Sequence, residues 1–185
     1  MDAAATARAA IAAAASRLSA ANARTESLAE LRVPRGVGPF RRAPRFVPIA
    51  EVWRLGVLLL SVDPDPGPDP GPGHEPGAAG RLFATGAVTR ARDPRHPNFT
   101  SVSSEERRAV REAARRSGFA VGETVDYDAE PLPLDDTLGT VGPLVLRDGE
   151  LLVSWNATRD PDSLRPFAAY LAERAELLAD PPPGA

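Results

Sequence analysis

Arginine carries every basic charge in this chain. All 22 of its Lys+Arg residues are arginine, cysteine is absent, and the only imidazoles are His74 and His96. The chemistry within reach is therefore that of guanidinium forks, carboxylates, hydroxyls and two histidines. Schiff bases, phosphate-gripping lysines and Ser-Lys dyads need a lysine, while thiolate nucleophiles, disulfides and thiolate metal sites need a cysteine.

Charge is unevenly distributed along the sequence. Residues 32–54 hold six arginines against one acid, and residues 90–116 hold eight against four. Residues 117–185 hold four arginines against thirteen acids. If the two basic stretches converge, Arg35, Arg41, Arg42 and Arg45 meet Arg107, Arg111 and Arg115 on an anion-binding surface. Guanidinium groups grip phosphate or carboxylate through paired donors, and Phe40 or Phe46 would offer a ring for a base to stack on. The bland alternative has these arginines pair with the acidic C-terminal third, or simply solvate a helix face.

His96 lies in RARDPRHPN, in a loop feeding a helix N-terminus, where an anion is welcome and an imidazole can serve as acid or base. A partly exposed loop histidine without an orienting partner is the plain alternative. Asp126, Asp128 and Glu130 alternate, so an extended backbone would point all three one way, as oxygen ligands for Mg²⁺ or Ca²⁺ or as a charged strand edge. No metal site or cofactor is expected. Gly36-Val37-Gly38 lacks the third glycine of a dinucleotide loop and runs into Pro39, and no G-x-S-x-G occurs.

The elements that must position these residues are legible in part. An Ala-rich pattern over residues 1–31 predicts a helix ended by Pro34, with Ile11, Leu18, Leu28 and Leu31 as its large apolar contacts. The apolar run Val52 to Val62 reads as a buried strand and Leu82 to Thr89 as its partner. Between them lies a tract, residues 63–80, in which 11 of 18 residues are Pro or Gly; it reads as a disordered loop. Closing so long a loop adds only about 1–1.5 kcal/mol over a short one, so the hairpin survives.

Ser103 and Glu106 form a capping box for a second helix stopped by Gly118, with Val110, Ala113, Ala114 and Ser117 inward. A short strand follows near Glu123 to Tyr127. In LVLRDGELLVSW, Asp148-Gly149 makes a two-residue type I′ turn between apolar strands. A last helix is expected from about Ser163 to Ala179, with Pro166 in its first turn and Leu164, Phe167, Leu171, Ala175 and Leu178 inward. Residues 181–185 read as a disordered tail.

The run AELRVPRGVGPFRRAPRFVPIAEVWRLGVLLL, with SVSSEERRAVREAA further on, resembles a group of short uncharacterised actinobacterial proteins, some of which carry a glutaminase label. That resemblance implies no catalytic residue here. Serine-type glutaminases resemble β-lactamases and depend on Ser-x-x-Lys, and this chain has no lysine. Amide hydrolysis would need something like Ser101 or Ser103 with His96.

Together these features predict an α+β fold over residues 32–180, with a mainly antiparallel sheet of about five strands in two hairpins and about three helices. The expected function is non-enzymatic binding of an anionic partner, nucleic acid or a phosphate ligand, through the arginine face. A small amide hydrolase using His96 is one alternative; an assembly protein docking through its N-terminal helix is another. With no apolar stretch near the ~20 residues that span a bilayer, no membrane partner and a cytoplasmic location are expected.

Overall fold

Helix α1 (Ala3–Ala20) stops well short of the expected residue 31. Asn22 adopts a left-handed conformation, φ +48. The Ala23 and Asn22 amides then bond back to the carbonyls of Leu18 and Ser19, at 3.0 and 3.1 Å. This is a Schellman closure, and Asn is one of the few residues besides Gly that tolerates it. The chain then extends as β1 (Glu26–Arg32), so Leu28 and Leu31 belong to a strand and not to the helix.

The structure is a computed structural model and describes residues 2–33, 43–63, 80–93, 102–156 and 160–182. Among these, β2 (Arg45–Leu55), β3 (Leu58–Ser61), β4 (Leu82–Ala84) and β5 (Ala87–Arg90) precede α2 (Val102–Arg116). Strands β6 (Thr124–Tyr127), β7 (Glu130–Pro131), β8 (Leu144–Arg147) and β9 (Glu150–Ser154) follow. A 3-10 turn (Pro161–Ser163), β10 (Leu164–Pro166) and α3 (Phe167–Ala179) complete the order. The Pro/Gly tract and the C-terminal tail lie, apart from their first and last described residues, outside the described residues.

The chain is α+β with three α-helices among the described residues, but the expected sheet of about five mainly antiparallel strands is wrong. Seven strands form one mixed sheet in the order β5-β6-β1-β2-β3-β4-β7, with β1 and β6 parallel. Three more form a separate antiparallel sheet, β10-β9-β8.

Three local causes explain the miscount. The run Val52 to Val62 is two strands, because Gly56, φ +68, reverses the chain and pairs Leu55 with Leu58. A positive φ at the first central position alone is the pattern of a type II′ turn. The run Leu82 to Thr89 is broken at Gly86, whose missing side chain lets the backbone meet the carbonyl oxygens of Tyr127 and Asp128. Finally, residues 164–166 pair with β9, so α3 begins only at Phe167 and Pro166 stands at its N-cap, not in its first turn. The hairpin across residues 63–80 does form, as Leu58 pairs with Ala84 and Leu60 with Leu82. The Asp148-Gly149 turn is as read, with φ +52 and +78 and Arg147 paired to Glu150.

Two compact units result. One comprises Met1–Thr25, Glu51–Thr85 and Glu130–Ala185, the other Glu26–Ala50 and Gly86–Ala129. Each has its own core. In the first, Ile11 and Leu18 of α1 pack with Leu55, Leu58 and Leu60 of the β2–β3 hairpin and with Phe167 and Leu171 of α3. In the second, Ala113 and Ala114 of α2 pack with Ala29, Phe46, Phe119 and Val125. The charge imbalance follows this division. The second unit carries thirteen arginines against nine acids, net +4, and the first nine against sixteen, net −7. They are called the basic and the acidic unit below.

Candidate functional site

The site is built on α2, in the basic unit. Alanines at 113 and 114, fully buried, let the helix approach the sheet closely, and Val110 packs beside them. That contact fixes which face is wet, and the arginines occupy it. The helix begins at Val102, so Ser103 lies within it and not at the expected N-cap position. Its far end is tied firmly. Ser117 Oγ donates to the Ala113 carbonyl at 2.8 Å and accepts the Phe46 amide at 2.8 Å, and Gly118, φ +102, ends the helix.

That bond brings the first basic stretch to the second. Arg45 is exposed on β2, next to Phe46, while Arg116 is exposed on α2, next to Ser117. A second bond acts within the second stretch. The Arg92 amide donates to the Arg111 carbonyl at 3.5 Å, holding the segment after β5 against α2.

Phe46 is no stacking platform. Only 3% exposed, it packs edge-on against Phe119, with ring centroids 6.3 Å apart, and against Tyr127 at 5.3 Å. Partial burial of Tyr127 itself, with the nearby Asp128 charge, pushes its phenol above the ordinary pKa. Phe40, Arg35, Arg41, Arg42, Ser101 and His96 lie outside the described residues.

The described arginines fall into two groups. Arg115 is committed: its Nε lies 2.9 Å from Asp93 Oδ1 and its Nη1 donates to the Phe119 carbonyl at 3.4 Å. Arg108 faces Glu112 at 3.6 Å, one turn on. Arg32 pairs with Glu30 at 2.8 Å, which raises its pKa. These three pairs all stay within the basic unit, so these arginines are not matched to the acidic C-terminal third. Among the described residues Arg45, Arg92, Arg111 and Arg116 make no ion pair, and Arg107 is exposed. Arg92 and Arg116 were missed by sequence reasoning, and only the two tertiary bonds single them out.

The alternating carboxylates are not assembled. Asp126 is fully buried on β6, Asp128 turns away with φ +54, and Glu130 belongs to the acidic unit. β6 lies between β5 and β1 and is not a sheet edge. Among the described residues no group of three or more His, Asp or Glu side chains is placed to hold a metal ion. No described helix is long and apolar enough to cross a membrane. Comparison with protein-family models, curated proteins and solved structures finds no match to this chain.

Proposed function

We propose that the protein is a binding module whose basic unit receives a polyanionic partner, a nucleic acid or a phosphate-rich ligand, on the outer face of α2 and the segments bonded to it. One observation carries this reading: the Phe46–Ser117 bond joins the segments that carry Arg45 and Arg116, the Arg92–Arg111 bond joins those that carry Arg92 and Arg111, and none of the four has a carboxylate partner among the described residues. Guanidinium groups left in this state are ready to trade counterions for phosphate oxygens. The net charge of the unit, +4, adds long-range attraction.

The test is fluorescence anisotropy of the full chain with a labelled single-stranded oligonucleotide, and with inorganic polyphosphate, across a salt series. Engagement of four phosphates gives a log–log salt slope of about −3. Arg111→Ala and Arg116→Ala should each flatten the slope by about 0.7. Absence of binding at low salt, or binding indifferent to salt, refutes the reading.

A further inference from the structure

The acidic unit carries a groove of its own, about 420 Å³ and open to solvent. Trp155 lines it with 52% of its surface exposed, the one aromatic among the exposed large apolar side chains of the described residues. An indole in water is common enough on a loose loop, but this one is fixed. Its amide donates to the Ser163 carbonyl at 3.2 Å, and the preceding amide, of Ser154, donates to the Pro143 carbonyl at 2.8 Å. Ser154 Oγ, itself buried, donates to the Asn156 carbonyl at 2.8 Å on the other side. The backbone of Trp155 is therefore tied on both flanks while its ring stays wet.

Glu130, on the two-residue strand β7, lines the same groove. Its exposed carboxylate makes no hydrogen bond or ion pair among the described residues. Gly142 keeps the floor beneath it bare. A Cβ there would meet Leu132 Cδ2 at 2.7 Å and would stand 3.8 Å from Glu130 Oε2, and φ is +62. Val57, Ala84 and Pro143 supply apolar wall, and among the described residues no arginine lines the groove.

A carboxylate with no cationic partner among the described residues, an aromatic ring carried on a tied backbone and an apolar wall select for positive charge carried on carbon. The ring quadrupole and the carboxylate attract the same sign, and alkyl groups are buried on the wall. An anion would face Glu130 with no counter-charge among the described lining residues. A neutral sugar would leave the carboxylate without a charged partner. We propose that this groove binds a small organic ammonium ligand, a quaternary or alkylated amine, with Trp155 as its aromatic face and Glu130 as its counter-charge. This is independent of the anionic partner assigned to the basic unit.

The chain's two tryptophans provide the readout, because Trp53 is buried and its indole donates to the Ala23 carbonyl at 3.3 Å. In a ¹H–¹⁵N spectrum of the full chain titrated with choline chloride against matched sodium chloride, the Trp155 indole signal should move saturably while that of Trp53 stays. Glu130→Gln should weaken choline about tenfold, and 3,3-dimethylbutan-1-ol, its uncharged isostere, should bind about tenfold more weakly than choline. Trp155→Leu should abolish the response of the remaining groove amides, with thermal melts confirming that both variants fold. A Trp155 signal that does not saturate overturns the proposal. So do equal binding of the isostere, choline affinity unchanged in Glu130→Gln, and a response to glucose but not to choline.

Discussion

The hydroxyl of Tyr170 occupies the space that a side chain on Gly56 would need. From α3 it donates to the Leu55 carbonyl at 3.2 Å and accepts the Val57 amide at 3.0 Å. One phenol thus satisfies the polar groups on both sides of the β2–β3 turn, and Leu55 and Leu58, which the turn pairs, are fully buried in the acidic unit's core. The Leu55 carbonyl, on a fully buried residue, needs such a partner, because unpaired backbone groups away from water are costly.

Gly56→Ala therefore meets two penalties, a left-handed φ and overlap with the phenol, and should lose about 2–3 kcal/mol. Tyr170→Phe orphans the two backbone groups and should lose about 1–2 kcal/mol. Removing the hydroxyl also relieves the overlap, so the double variant should lose less than the sum. Urea unfolding of the four proteins measures the coupling, and strict additivity would show that hydroxyl and turn do not interact.

How far the sequence discloses this fold depends on the range of the deciding interaction. Asp148-Gly149 was legible because both residues of a type I′ turn carry their preference with them. Gly118 as a helix stop was legible for the same reason. Asn22 was not, since Asn ends a helix only when the residues after it have somewhere better to go, here a strand beside β6 some 100 residues later in sequence, with Leu28 facing Asp126. The Val52 to Val62 run hid its turn because Leu55 and Leu58, which pair across it, are both fully buried, so only Gly56 marks the reversal. The arginine stripe of α2 was visible from helical periodicity. Which arginines are already paired was not, because Asp93 lies 22 residues from Arg115 and only tertiary structure joins them.

Glycines at 149 and 139 separate backbone preference from crowding. Both have left-handed φ, +78 and +82. A Cβ on Gly149 meets nothing within 4 Å, whereas one on Gly139 meets the Leu146 amide nitrogen at 2.6 Å. Gly149→Ala should cost about 1 kcal/mol, the conformational penalty alone. Gly139→Ala should cost at least twice that, because the β8 backbone must move. Equal losses in chemical denaturation would contradict the packing seen at Gly139.

Stability should fall at both ends of the pH range through identifiable groups. Asp135 Oδ1 accepts the Thr137 hydroxyl at 2.6 Å and its amide at 2.8 Å, which hold the carboxyl below its ordinary pKa. A lowered folded-state pKa adds stability that is present above the ordinary carboxylate value and lost as pH falls through the lowered one. Tyr127 behaves oppositely. Its raised pKa adds stability that is full below the ordinary phenol value and lost as pH rises through the folded one. Asp135→Asn should flatten the acid limb and Tyr127→Phe the alkaline limb of a Tm–pH profile. Unchanged limbs would mean that the groups titrate alike folded and unfolded.

Asp93 offers the sharpest test of the arginine surface, because it restrains a charge that the surface would otherwise use. Its carboxylate is 65% exposed and its partner Arg115 is 41% exposed. A pair this wet contributes only about 0.2–1 kcal/mol to folding, so Asp93→Asn leaves the protein folded. The substitution removes one negative charge and releases the Arg115 guanidinium, one turn along α2 from Arg111. If a polyanion lies along this face, Asp93→Asn should tighten its binding at low salt and steepen the salt slope by about 0.7, the reverse of Arg111→Ala. Arg115→Ala in the wild-type background should weaken binding less than Arg111→Ala, since Arg115 is already engaged. Once Asp93 is neutralised, the two arginines should matter equally. Tightening that persists in the double variant Asp93→Asn with Arg115→Ala would trace the effect to net charge, and no tightening at all would place the polyanion elsewhere.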